Sequence, residues 1–98
     1  MINKELIIKA IPNSDLYTES ESKILQELIR ISIEGIAVAS AKYLIKITGI
    51  SVTTVYTSLK SLQKNELIIK LSNQANTYKL NEKKLNRIVE IYESKEKP

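Results

Sequence analysis

The chain contains no cysteine, no histidine, no tryptophan and no phenylalanine, and one aspartate, Asp15, among its 98 residues. Without cysteine there are no disulfides, thiol nucleophiles or thiolate metal sites. Without histidine there are no imidazole ligands, and the commonest general base is gone. No glycine-rich phosphate loop and no clustered pair of acids stands in their place, so neither an enzyme nor a metal or cofactor is expected. Glycine and proline are scarce at two each, which leaves no linker or low-complexity block, and no internal repeat is visible. One domain spanning 1–98 follows. No apolar run approaches about 20 residues, so no membrane span is expected. The start, MINKELIIKAIPNSD, makes a poor secretory signal, and a cytoplasmic location is expected.

What the chain does have is apolar residues and lysine. Hydrophobic residues make up 43% of it, enough for a core, and the net charge is +4. The charge is unevenly placed. Between Ala37 and Asn81 stand Lys42, Lys46, Lys60, Lys64, Lys70 and Lys79 against Glu66, a local balance of +5, while the remainder carries nine basic and ten acidic residues. A basic segment inside a near-neutral chain reads as a footprint for a polyanion; the plainer reading is a set of solvated lysines.

Apolar spacing predicts the elements. Leu6, Ile7, Ala10 and Ile11 fit a helix with Asn3 as its cap, although LIIKAI also suits a strand. Pro12 closes the segment. Thr18 to Ile33 reads as a helix, opened by the capping box Thr18-x-x-Glu21 and ended by Gly35. Ile36–Val38 is a bridge or brief strand, and Ser40 caps a helix from Ala41 to Ile47. Gly49 turns the chain, and Ser51 caps a second helix to Lys64. Leu67–Leu71 and Thr77–Leu80 read as a hairpin around a polar loop. Asn81 caps a last helix to about Glu93, followed by a frayed SKEKP tail.

The two helices around Gly49 carry the argument. Leu44 and Ile47 form the apolar side of the first, and Val52, Val55, Leu59 and Leu62 that of the second. At about 100° per residue, Thr53, Thr57, Lys60 and Lys64 fall on the opposite side of the second helix, flanked by Thr54 and Tyr56. That side holds hydroxyls, amines and a phenol, and no carboxylate. A helix that touches a phosphate-lined groove needs such a surface. The plainer reading of the threonines is a tolerated β-branched surface, but threonine is a mediocre helix former, and three within five residues favour contact.

The stretch AVASAKYLIKITGISVTTVYTSLKSLQKNELIIKL resembles the winged helix-turn-helix domains of MarR-type, PadR-type and related regulators. The likeness covers roughly residues 18–92. It implies an α+β, mainly helical fold: a core at 18–80 with a two-stranded wing, an N-terminal extension at 1–17, and a C-terminal helix at 81–95 used for dimerisation. The chain departs from the pattern in two ways. Lys64-Asn65-Glu66 replaces the usual glycine before the wing, which assigns the left-handed conformation to Asn65. The wing is also short and lacks arginine. The resemblance implies binding of double-stranded DNA by a homodimer, with the second motif helix in the major groove. By position, Ser51 and Thr53 meet phosphate near the helix N-terminus. Thr54, Tyr56, Thr57 and Lys60 approach base edges, and Lys42, Lys64, Lys70, Asn76 and Lys79 reach phosphates. The dimer surface falls to Leu6, Ile7, Leu85, Ile88, Ile91 and Tyr92. Arg30 and Arg87 lie outside the motif, so the common arginine–guanine contact is missing and an A·T-rich site is expected. The implied role is transcriptional regulation. A plasmid or phage partition adaptor working with an ATPase or GTPase filament protein, a replication-initiator fragment, and a winged helix that docks proteins rather than DNA stay open.

Overall fold

Each α-helix among the described residues starts where a short polar side chain takes a backbone N–H that the helix itself leaves free. A computed structural model describes residues 3–96. Met1 and Ile2 of the expected N-terminal extension, and Lys97 and Pro98 of the expected tail, lie outside the described residues. Asn3 accepts from Leu6 N at 3.2 Å and opens α1 (Lys4–Ala10). Thr18 and Glu21 form both halves of the capping box, at 3.1 and 2.8 Å, and open α2 (Glu19–Ile31). Ser40 opens α3 (Ala41–Thr48), Ser51 opens α4 (Val52–Lys64), and Asn81 opens α5 (Glu82–Glu96). The strands are β1 (Ile36–Val38), β2 (Ile68–Lys70) and β3 (Thr77–Leu80), and they form an antiparallel sheet in the order β1-β3-β2. The fold is therefore α+β and mainly helical. The expected hairpin is present, with β1 as a third strand on its far side. The N-terminal segment is helix rather than strand, and a 3₁₀ turn at Ile11–Asn13 carries it past Pro12.

The helix ends depart from expectation. α2 stops at Ile31, because Ser32 turns extended and its hydroxyl donates back to Ile29 O at 2.7 Å. The ammonium of Lys4 donates to the carbonyls of Arg30 and Ser32 and places a cation at that helix end. Gly35 is not the cap. With Glu34 it forms a two-residue turn in which both φ angles are positive, at 79° and 51°, and Ile33 and Ile36 exchange two backbone hydrogen bonds across it. At the end of α4, Asn65 keeps φ −84° and Glu66 takes the left-handed conformation at φ 61°. Two backbone bonds fix this choice, Glu66 N to Gln63 O and Leu67 N to Leu62 O, both 3.0 Å. They are the pair that closes a helix through a left-handed residue, and the buried Leu62 and Leu67 supply the accompanying apolar contact. α5 runs on through Glu96, so Ser94–Glu96 belongs to the helix and not to a frayed tail.

Apolar faces from all parts of the chain meet in one core. α2 contributes Ile24, Leu25, Leu28 and Ile29; α4 contributes Val55, Leu59 and Leu62. Leu44 joins from α3, Tyr78 and Leu80 from β3, and Leu85, Ile88 and Val89 from α5. Ile7, Ala10 and Ile11 are fully buried too, so the N-terminal segment packs into this core. This corrects the expected dimer surface. Ile7, Leu85 and Ile88 are buried within their own chain, where α1 packs on α5, and offer a partner no surface. Leu6 and Tyr92 are half-buried against the same core, and Ile91 alone of the six is exposed. Ile47 and Val52 also stand out in solvent, not in the core. They flank the Gly49 turn, and helical spacing sets Val52 about 60° round from Val55.

A polar clamp ties α2 to α3. Arg30 donates to both oxygens of Glu27, from Nε at 2.8 Å and Nη2 at 2.6 Å, and the Tyr43 hydroxyl donates to the same carboxylate. The Arg30 guanidinium holds the Glu27 carboxyl below the ordinary carboxylate value; burial opposes the shift and the Tyr43 hydroxyl adds to it. A lowered carboxyl stabilises the fold above its unfolded pKa, and that contribution is lost as pH falls through the folded value. Glu27→Gln is therefore expected to destabilise the protein at neutral pH, and the difference from the parent chain should shrink in unfolding curves recorded well below pH 4.5, the ordinary value. At the end of α4, Glu66→Gly should raise stability by about 0.5–1 kcal/mol in urea unfolding, because glycine adopts the left-handed region without the steric cost a side chain carries.

Candidate nucleic-acid interface

α4 is two-sided. Val55, Ser58, Leu59 and Leu62 are buried, while Thr53, Tyr56, Thr57, Lys60 and Lys64 are exposed. The exposed side carries no acid, since Val52–Lys64 contains none. Among the described residues, the six lysines of the basic segment form no ion pair, whereas its one acid, Glu66, lies 3.5 Å from Lys84 Nζ. The lysine charges are thus uncompensated at the surface, and the segment's single carboxylate is already engaged.

Local chemistry sets what each hydroxyl has to offer. Ser51 accepts from Thr54 N at 3.4 Å, and its own hydroxyl donates to Thr54 Oγ1 at 2.9 Å. Ser51 is exposed and Thr54 half-buried, and each hydroxyl is already engaged by the other. The Thr57 hydroxyl donates to Thr53 O at 2.9 Å. With its proton committed to the helix backbone, Thr57 presents an acceptor oxygen and a methyl group.

The sheet register decides which wing residues join α4. Lys70 pairs with Tyr78, and Ala37 pairs with Tyr78 from the other side, so these three share the inner face. A shallow groove between α4 and the sheet is lined by Tyr56, Lys60, Gln63, Lys70 and Tyr78. Lys70 therefore does stand beside the helix face. Burial pushes the Tyr78 hydroxyl above its ordinary range, and the Tyr56 phenol opposite adds to the shift. Lys79 is separated from this group. Its partners are Ile36 and Ile69, and strand alternation turns it to the outer face. Asn76 is exposed in the loop between β2 and β3, at φ 56°, and its carbonyl accepts from Ala39 N at 2.9 Å. Lys42 is exposed in the first turn of α3.

Gln63 and Tyr78 were not among the expected contacts. Helical spacing sets Gln63 on the Tyr56 flank of α4, and period-two alternation sets Tyr78 with Lys70, but only the packing of sheet against helix shows that the two flanks face one groove. Among the described residues no group of three metal-ligating side chains forms, and no helix is long and apolar enough to cross a membrane. No protein-family model, curated protein or solved structure matches the chain.

Proposed function

We propose that the chain is a winged helix-turn-helix protein that binds double-stranded DNA as a homodimer and acts as a transcriptional regulator. α4 lies in the major groove of A·T-rich half-sites, and the β2–β3 hairpin serves as the wing. One observation carries the reading: α4 is anchored through Val55, Leu59 and Leu62, while its far side is wet, cationic and free of acids. Lys60 and Lys64 neutralise phosphates and release counterions. Lys70, across the groove from Tyr56 and Lys60, extends the cationic strip from helix to wing. Thr53 and the backbone N–H groups at the start of α4 suit phosphate. Thr57, with a methyl and an acceptor outward, suits the thymine methyl and the adenine amino group better than guanine. Exposed Tyr56 adds an apolar ring to the same readout.

Anisotropy titration against an A·T-rich duplex is expected to show binding at about 50 mM salt that weakens steeply as salt rises. Lys60→Ala and Lys64→Ala should each weaken binding and flatten the log–log salt slope by roughly one unit. Thr57→Ala should alter preference between A·T-rich and G·C-rich duplexes more than overall affinity. Absence of binding at low salt, or an unchanged slope in both lysine variants, contradicts the proposal.

A further inference from the structure

The outer face of the sheet is unlike the rest of the surface. Along β1, Ile36 and Val38 point to this side; β3 adds Thr77 and Lys79, and β2 adds Ile69. Ile33 bridges to Ile36 at its margin. Val38 is 64% exposed, Ile69 49% and Ile33 76%. Ile36, Lys79 and Ile69 are direct cross-strand neighbours, so the apolar groups flank a single central lysine. Thr77 is buried, but Val38, Ile69 and Ile33 lie open to solvent, and isolated soluble chains seldom leave a patch of β-branched residues open.

The charges on the face say what fits it. Glu34, Lys79 and Glu82 line one depression together with Gly35 and Ile69. Among the described residues Lys79 forms no ion pair, even with these two carboxylates nearby. Nucleic acid would meet both glutamates, and a partner of one charge sign would meet repulsion from one group or the other. A second copy of the same face brings both charge signs to each side, so that the Lys79 of each copy has a glutamate of the other to meet. The sheet edges are poor alternatives, since β1 and β2 have three residues each and can template little pairing.

We propose that this outer sheet face is where a second copy of the chain docks, sheet against sheet, through Val38, Ile69 and Ile33 with Lys79 opposite Glu34 or Glu82 of the other copy. The inference rests on the homodimeric part of the reading above and takes the place of the α1 and α5 surface, where Ile7, Leu85 and Ile88 are spent inside the chain. It does not require DNA.

Sedimentation velocity of the full chain without DNA tests it, with thermal unfolding followed by circular dichroism as the folding control. The parent chain should move from monomer to dimer as loading rises. Val38→Lys and Ile69→Lys should each weaken the dimer by about tenfold or more, with Ile33→Lys giving the same readout if a strand variant loses its fold. Lys79→Glu should weaken the dimer, and adding Glu34→Lys and Glu82→Lys to it should restore association. A chain that stays monomeric at every loading overturns the proposal. So does a dimer that tolerates these variants but separates on Ile91→Asp in α5, and so does a charge swap that fails to restore association. Because no DNA is present, these outcomes leave phosphate contact by α4 to its own titration.

Discussion

The packing of α4 against α2 is the interaction on which the rest of the molecule depends. Among the described residues, these two helices share the most extensive helix–helix contact. Ile24, Leu25, Leu28 and Ile29 on one side, and Val55, Leu59 and Leu62 on the other, are nearly or wholly removed from water. Burying side chains of this size contributes about 1.5–3 kcal/mol each before the entropy of ordering is set against it. That anchorage fixes the rotation of α4 about its axis. Once the rotation is fixed, the side with Thr53, Thr57, Lys60 and Lys64 has nowhere to go but solvent, and a surface that binds a rigid duplex gains from being held still.

The same anchorage orders the neighbouring elements. Glu66, in the left-handed conformation, ends α4 and sends the chain into β2 so that Lys70 comes back beside Tyr56 and Lys60. α3 is tied to α2 by the Glu27–Arg30–Tyr43 clamp, which uses Arg30 for structure. The outer sheet face lies on the side of the strands away from this assembly. Two surfaces of different chemistry result: one cationic and polar, made by α4 and Lys70, and one apolar with mixed charge on the outer sheet face.

Much of the fold was legible in the sequence because local chemistry set it. Asn3, Thr18, Ser40, Ser51 and Asn81 each cap the helix their position predicts, and the spacing of Val55, Leu59 and Leu62 correctly gave the buried side of α4. Three things were not legible. Which residue of Asn65-Glu66 turns left-handed depends on where the last helical carbonyls find donors, and the intrinsic preference of asparagine loses to that geometry. Gly35 looks like a helix cap by position but is drawn into the Ile33–Ile36 turn by pairing with β3. Lys79 looks like a wing phosphate contact by charge, yet a register of period two sets it on the face opposite Lys70. The burial of three residues expected at the dimer surface, Ile7, Leu85 and Ile88, was not legible for a related reason. Leu85 and Ile88 form an apolar stripe, and spacing cannot tell whether such a stripe meets its own α1 or another chain.

The most direct test of the central claim is residue-resolved. Amide and side-chain NMR spectra of the labelled protein, recorded as an A·T-rich duplex is added, report where the duplex sits. The account predicts shifts concentrated at Thr53, Tyr56, Thr57, Lys60 and Lys64, extending to Lys70 and the Asn76 loop, with Lys79 and the outer sheet face unmoved. Shifts centred elsewhere with α4 unmoved, or none at saturating duplex, would contradict it.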